Sequence, residues 1–278
     1  MISDSYELLD SGASSKLERF GDRLLIRPSS LAVWKRRNPS LWDEAQAEFG
    51  QNEQWKFNGT TFEEWNFKNN EISLVLRLQN NGQVGLFPEH ASYMSELKDL
   101  IKKSISAGRE PALLNLFAYT GMCSVVAAKA GASVCHVDSS KSALDWATAN
   151  FEKNEVNNVR LIREDALSFM RKEARRGKQY DFIVLDPPGF SRFRDGTWNV
   201  TDILPELCTL LTTLLSSKQG QAYFTFHGAD LNGDTVRNIL MDVGGTDPKH
   251  ISWRQLSLIE KSGRVIPAGV LISAKACS

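Results

Sequence analysis

From about Ala91 onward, short apolar runs alternate with amphipathic segments of helical periodicity. Because the apolar runs contain few polar residues, they are typical of strands that are buried on both faces. Two further strands end the chain without a helix between them, which indicates an antiparallel hairpin at one edge. We therefore predict an α/β fold with a doubly wound, mostly parallel, seven-stranded sheet.

The sequence assigns bounds to the elements of this sheet. Strands are predicted at residues 112–116, 133–137, 159–163, 182–185, 222–226, 251–259 and 270–275. Helices are predicted at residues 92–106, 124–130, 141–153, 166–176, 202–215 and 235–243. In the third helix, Leu144, Ala147 and Phe151 fall on one face, as an amphipathic helix requires.

The first ninety residues predict a small β-rich unit. Strands are expected at residues 6–9, 16–20 and 23–27, and a helix at 39–49 that begins with Pro39. Asn80-Asn81-Gly82 favours a hairpin between residues 72–78 and 83–87, because Asn and Gly tolerate positive φ. We divide the chain into residues 1–90 and 91–278.

Composition excludes few classes of protein. The 33 basic and 33 acidic residues cancel, and no run approaches the roughly 20 apolar residues of a membrane span. The acidic N-terminus does not resemble a signal peptide. Four unpatterned cysteines favour reduced thiols, a cytoplasmic location and no metal site. Residues 171–178 carry a local charge of 5 − 1 = +4, which indicates either a solvated helix face or a nucleic-acid contact.

Polar residues and glycine follow the first strand of the predicted sheet. The strand contains Asn115, and the chain then runs through Phe117, Ala118, Tyr119, Thr120 and Gly121. Gly121 permits a tight turn into the next helix and a close approach of backbone to a ligand. Because no second glycine is present to admit a pyrophosphate, the loop favours a nucleoside over NAD.

Two carboxylates follow the next strands. Asp138 ends the second strand, 138 − 115 = 23 residues after Asn115, where an acidic side chain accepts hydrogen bonds from ribose hydroxyls. Ser139 follows it. Asp165, before Ala166, is either a ligand of an adenine amine or only a helix N-cap.

The fourth strand delivers a rigid loop, Asp186-Pro187-Pro188-Gly189-Phe190. Two prolines fix φ and remove two backbone donors, so the loop presents its carbonyls and a carboxylate. These acceptors can orient an exocyclic amine, and Phe190 can stack on its base. The alternative is a rigid turn with a buried phenylalanine.

Taken together, these motifs resemble class I S-adenosylmethionine-dependent methyltransferases, and more narrowly the branch that modifies 23S ribosomal RNA. The resemblance covers residues 82–275 and implies S-adenosylmethionine as cofactor and RNA as partner. Residues 85–90 are similar to a divergent form of a motif that precedes the catalytic domain in that branch, which implies that Phe87 lies near the cofactor. It also implies a substrate-recognition role for residues 1–90 and a catalytic role for residues 91–278.

The chain departs from that branch at one position. Members that form 5-methylcytosine need a cysteine nucleophile after the fifth strand. The corresponding run in this chain is Thr225-Phe226-His227-Gly228-Ala229, with Gly228 in place of the cysteine. We therefore expect direct transfer to a nitrogen, on guanine, promoted by proximity and orientation. A methyltransferase of a protein amide or a small molecule, and an inactive fold that binds RNA, remain alternatives. The sequence does not indicate an oligomeric state.

Overall fold

A computed structural model describes residues 5–50, 52–193, 196–216, 220–227, 231–244 and 246–276. The chain divides into two compact units. The first contains residues 1–92 together with 257–268, and the second contains residues 93–256 together with 269–278.

The first unit contains a five-stranded sheet in the order β1-β2-β3-β4-β5. Its elements are β1 (Tyr6–Gly12), β2 (Ser15–Phe20), β3 (Arg23–Pro28), α1 (Pro39–Trp42), β4 (Ala47–Phe49) and β5 (Trp55–Phe57). A separate antiparallel pair follows, formed by β6 (Glu64–Lys68) and β7 (Ser73–Arg77). The unit is therefore β-rich, as the sequence predicts.

The helix predicted at residues 39–49 is wrong in its second half. The helix α1 ends at Trp42, and residues 47–49 form β4 between β3 and β5. Two hydrogen bonds of 2.9 Å hold Gln46 beside β3. Leu24 N donates to the side-chain oxygen of Gln46, and Gln46 N donates to Leu24 O. Long-range pairing thus overrides the local helical spacing.

The hairpin predicted around Gly82 is half correct. The chain does turn there, with hydrogen bonds from Gly82 N to Gln79 O (3.0 Å) and from Gln79 N to Gln83 O (2.9 Å). The predicted pairing of residues 72–78 with 83–87 is limited to the base of the turn, where Arg77 N donates to Val84 O (3.3 Å), and β7 pairs as a strand with β6 instead. This pairing buries the alternating apolar side chains of both strands, Trp65, Phe67, Leu74 and Leu76.

The other large sheet has seven strands in the order β10-β9-β8-β11-β14-β16-β15, and most of it lies in the second unit. Its strands are β8 (Ala112–Leu116), β9 (Ser133–Asp138), β10 (Val159–Arg163), β11 (Phe182–Leu185), β14 (Gln221–Phe226), β15 (Ile251–Ile259) and β16 (Val265–Lys275). The first five are parallel, and β16 runs antiparallel to β14. These observations confirm the predicted fold class.

The helices of this unit also follow the sequence pattern. They are α2 (Ala91–Ser106), α3 (Met122–Lys129), α4 (Lys141–Lys153), α5 (Ala166–Arg175), α6 (Val200–Leu214) and α7 (Gly233–Gly244). A short pair, β12 (Phe190–Phe193) and β13 (Gly196–Asn199), was not predicted. Among the described residues, no helix combines the length and apolar character of a membrane span.

The order of the strands reverses between β8 and β11. From β8 the sheet continues to β9 and β10 on one side, and from β11 to β14 on the other. Ligands of open α/β sheets bind beyond the carboxyl ends of the strands at such a point. A ligand-binding site is therefore expected at the loops after β8, β9, β11 and β14.

Candidate active site

The loop after β8 has an unusual backbone. Phe117, Tyr119 and Gly121 have φ values of 54°, 49° and 87°, and two of them are not glycine. Alternating backbone handedness turns successive N–H groups to one side. The N–H of Ala118 donates to Val137 O (3.1 Å), and the N–H of Tyr119 donates to Asp138 Oδ2 (2.8 Å). These two hydrogen bonds fix the loop to the end of β9.

Gly121 is the N-cap residue of α3 and packs directly against α4. A Cβ atom there would lie 2.8 Å from Cε1 of Phe151 and 3.3 Å from Cβ of Ala147. Nearby, Asn150 Nδ2 donates to Thr120 O at 2.9 Å. Gly121 is thus required both for its positive φ and for the close approach of the helix.

Asp138 is half-buried at the tip of β9. Besides the bond from Tyr119, its Oδ1 accepts a hydrogen bond from Ser140 N at 2.9 Å. Burial raises the pKa of Asp138, although the N–H groups of Ser140, Tyr119 and Ser139 favour the charged form. Each oxygen keeps a second lone pair, so the carboxylate can still accept from a ligand hydroxyl. Ser139 is exposed beside it.

A buried polar chain of Asn115, Ser124 and His136 lies beneath the loop, and only Asn115 was predicted as a site residue. Asn115 Nδ2 donates to Ser124 Oγ at 2.9 Å, and Ser124 Oγ lies 2.9 Å from His136 Nδ1. His136 is fully buried, with its ring edge-on to Phe151. Burial lowers the pKa of His136 to about 3, so the imidazole is neutral. Asn115 therefore has a structural partner in this chain.

Asp165 caps α5. Its Oδ1 accepts a hydrogen bond from Ser168 N at 2.8 Å, and Ala166, the first residue of the helix, is buried. The N-cap alternative is therefore satisfied, while a contact of Asp165 with adenine stays a prediction.

Asp186 follows β11 and is oriented by β14. Thr225 Oγ1 donates to Asp186 Oδ1 at 2.6 Å, and His227 Nε2 lies 3.5 Å from the same oxygen. The side chain of Asp186 is 19% exposed, whereas Thr225 is fully buried. Gly269 has φ +129°, and a Cβ there would lie 3.0 Å from Nδ1 of His227. The sequence pattern identified Asp186 but gave no signal for Thr225.

The rest of the loop is ordered by the chain that follows it. Pro187 is buried, and Pro188 and Gly189 are exposed. The carbonyl of Gly189 accepts a hydrogen bond from Val200 N at 3.0 Å, which ties the loop to the start of α6. Phe190 begins β12, but its side chain lies outside the described residues, and so does Gly228.

Phe87 belongs to the first unit. Its ring stacks on His90 with a centroid distance of 5.4 Å and an interplanar angle of 29°. A role for Phe87 beside the cofactor stays a prediction.

The described cysteines are poor nucleophiles. Cys123, Cys135 and Cys208 are all buried. Burial raises the pKa of both Cys123 and Cys208 to about 12, and nearby Asp186 adds to the effect on Cys123. Because the thiolate is the reactive form, these side chains are unreactive at neutral pH.

The basic run at residues 171–178 is largely neutralised. Arg171 makes two bonds to Glu206, at 2.5 and 2.6 Å. Lys172 pairs with Glu164, and Arg176 with Glu173. Three of its five cations thus have acidic partners, which favours the solvated helix face over a nucleic-acid contact.

A profile of the S-adenosylmethionine-dependent methyltransferases matches residues 45–223. The chain belongs to this family. A methyltransferase of the family from Agrobacterium tumefaciens has the same fold, with a TM-score of 0.88, 30% identity and coverage of 98% of this chain and 90% of that one. The family membership establishes S-adenosylmethionine as the cofactor of this methyltransferase and confirms the resemblance seen in the motifs.

Curated relatives of this methyltransferase include two rRNA enzymes. "Ribosomal RNA large subunit methyltransferase I" of Aeromonas salmonicida is 34% identical over 44% of this chain and 30% of the relative. "Ribosomal RNA large subunit methyltransferase K/L" of Pseudomonas aeruginosa is 31% identical over 74% of this chain and 27% of the relative. The chain thus spans about a third or less of the length of these two relatives.

The residues at the switch point fit a nucleoside cofactor. Asp138 presents a half-buried carboxylate with lone pairs for hydroxyl donors, and the loop after β8, which contains residues of positive φ, is bonded to this carboxylate through Tyr119 N. The loop supplies one glycine, without the glycine pair that a pyrophosphate needs. The chemistry of these groups agrees with a cofactor that carries ribose and no phosphate.

Proposed function

We propose that this methyltransferase modifies a base of large-subunit (23S) ribosomal RNA, at a ring or exocyclic nitrogen of guanine. Support comes from the names of the curated relatives and from the carboxylate of Asp186 in the loop that follows β11. Because this acceptor is made and assembled in the cytoplasm, the proposal requires a cytoplasmic location.

The observation that carries the proposal is the fixed carboxylate of Asp186. Thr225 holds one carboxylate oxygen from within the sheet. An amine N–H of the substrate can donate to this carboxylate, and a second can donate to the carbonyl of Pro187, which is an acceptor with two lone pairs. Both bonds orient the nitrogen lone pair, which is the contribution expected from proximity and orientation.

When bound, S-adenosylmethionine supplies an electrophilic methyl group on a sulfonium sulfur. We assign its ribose to Asp138 and Ser139, and its remaining contacts to the residues that the motifs single out: Phe87, Asn115, Phe117, Tyr119, Thr120, Gly121, Asp165, Ala166 and Asp186. Pro187, Pro188 and Phe190 complete the substrate side, where Phe190 stacks on the target base. Residues 1–90 take part in substrate recognition.

A covalent route through cytosine receives no support from the described thiols. Cys123 and Cys208 are buried and hold their protons at neutral pH. Direct transfer needs no such nucleophile. It therefore agrees with the protonated state of these thiols and with the hydrogen-bond acceptors of the loop after β11.

The acceptor class can be tested with tritium-labelled S-adenosylmethionine. Purified protein is incubated with 23S rRNA transcripts and, separately, with ribosomal proteins, and the products are treated with ribonuclease or protease. We expect label that ribonuclease releases and protease does not. Label on protein would favour an amide methyltransferase, and binding of RNA without any label would favour an inactive fold.

A further inference from the structure

In the segment between β3 and α1, exposed side chains alternate with buried or half-buried ones. Ala32 is fully buried, and Trp34 and Arg36 are half-buried. The intervening residues are exposed and form an outer row, namely Leu31, Val33, Lys35 and Arg37. Strict alternation over seven residues means that the backbone fixes which side chains face water.

Backbone contacts hold this segment against the turn between β1 and β2. Ala13 N donates to Trp34 O (2.7 Å), and Ser14 N donates to Ala32 O (2.9 Å). Gly12 allows the close approach, since a Cβ there would lie 2.5 Å from the backbone nitrogen of Arg36. The outer row is therefore carried on an anchored backbone.

A buried carboxylate fixes the end of the segment. Asp10 accepts hydrogen bonds from Arg37 N (3.1 Å), Asn38 N (2.9 Å) and Trp42 Nε1 (2.9 Å). Arg264 Nη2 also donates to it, at 2.5 Å. Burial alone would raise the pKa of Asp10, but the hydrogen bonds from Trp42, Asn38 and Arg37 hold it below its ordinary value, so the carboxylate stays charged.

The two cations of the outer row are not used within the fold. Across the described residues, neither Lys35 nor Arg37 makes an ion pair, in contrast to three of the five cations at residues 171–178. Beside them, Leu31 is 55% exposed and Val33 is 78% exposed. Two aliphatic side chains and two unpaired cations thus lie together on one anchored segment.

We propose that the outer row is a contact surface for the RNA substrate, which rests on the proposed function. Lys35 and Arg37 neutralise backbone phosphates, and Leu31 and Val33 pack against the apolar faces of ribose or bases. The anchoring matters, because a segment that is already ordered loses little entropy on binding. Charge complementarity favours a polyanion over an uncharged partner.

The test compares Lys35→Ala/Arg37→Ala with Lys102→Ala/Lys103→Ala, which removes two exposed cations of α2. Affinity for a 23S rRNA transcript is measured between 50 and 200 mM salt. We expect the first variant to bind roughly 10-fold more weakly at low salt, with a salt slope smaller by about 1.4, the value for two phosphate contacts on a single strand. Affinity for S-adenosylmethionine and the melting temperature should match the wild type.

The control variant should differ from the wild type by less than about 2-fold in RNA affinity. Equal losses in the two variants, or an unchanged slope in the first, would overturn the proposal. If the wild type methylates RNA but the first variant binds it normally, only the outer row is wrong. If the wild type neither binds nor methylates RNA, the proposed function fails as well. Binding of anionic lipid vesicles that depends on the outer row, with RNA binding unchanged, would assign the surface to membranes instead.

Discussion

Thr225 Oγ1 donates a 2.6 Å hydrogen bond to Asp186 Oδ1 across neighbouring parallel strands. The hydroxyl is buried, whereas the carboxylate is partly exposed at the end of β11. A buried donor of this kind fixes the rotamer of an acceptor that would otherwise be free to rotate. The orientation of the proposed catalytic carboxylate therefore depends on a residue from another strand.

Replacing Thr225 with Val should lower kcat by roughly 10- to 100-fold, because the loss of one oriented hydrogen bond is worth about 1–3 kcal/mol. The shape of the side chain is nearly kept, so affinity for S-adenosylmethionine should change little. Steady-state kinetics on RNA and calorimetric titration with the cofactor separate the two effects.

Two further variants control that result. Thr225→Ser keeps the hydroxyl and should recover most of kcat. Thr209→Val removes an exposed helical hydroxyl, which donates to Pro205 O, and should leave kcat unchanged. Full activity of Thr225→Val would show that this bond does not orient Asp186 for catalysis.

Asp138→Asn should weaken binding of S-adenosylmethionine by roughly 10- to 100-fold. The carboxylate accepts N–H groups from Tyr119 and Ser140 on different oxygens. An amide offers only one acceptor, so its NH₂ group would meet an N–H donor and disturb the loop. Isothermal titration measures the loss, with Asp145→Asn on the exposed side of α4 as the control. Equal affinities in the two variants would exclude Asp138 from the cofactor site.

Gly121→Ala should reduce the free energy of unfolding by roughly 2–4 kcal/mol. Positive φ accounts for about 1–2 kcal/mol, and contact of the new methyl with Phe151 adds an overpacking term. Gly108→Ala is the matched control, since its φ is +75° and nothing lies within 4 Å of its Cβ position. Urea denaturation of both variants checks the difference, and equal losses would mean that helix packing at Gly121 has no part in stability.

His136 should make the fold less stable in mild acid. Its pKa is about 3 in the folded protein, against about 6.5 in an unfolded chain, so the unfolded state binds the extra proton as the pH falls through 6.5. Stability therefore decreases with falling pH, by about 2 kcal/mol between pH 7 and pH 5. Urea denaturation at both pH values should show this decrease in the wild type and a decrease smaller by about 2 kcal/mol in His136→Gln. The same pH dependence in both proteins would assign the effect to other groups.

The sequence was most informative about the second unit. The helix α4 and the strands β8, β10 and β11 begin and end where the periodicity predicts. In α4, β8 and β11 the packing also preserves the local apolar pattern, because most of their apolar side chains are buried. The carboxylates Asp138 and Asp186 could be predicted for a related reason, since parallel strands bring their carboxyl ends to one edge of the sheet.

The sequence was least informative where a contact joins distant residues. The strand β4 depends on Gln46 meeting Leu24, and β7 depends on a partner, β6, that local spacing did not reveal. Ser124 and His136 had no pattern of their own, because they matter only through the polar chain from Asn115. The positive φ of Phe117 and Tyr119 likewise accompanies the hydrogen bonds between their loop and β9. It could not be predicted from the sequence, because neither residue type favours positive φ.

We propose direct methyl transfer to a guanine nitrogen at a site built on Asp186. The most direct measurement is mass spectrometry of nucleosides from 23S rRNA treated with S-adenosylmethionine and either the wild type or Asp186→Ala. We expect an N-methylguanosine with the wild type, reduced by at least about 10-fold in the variant. The appearance of 5-methylcytidine, or equal methylation by the two proteins, would contradict it.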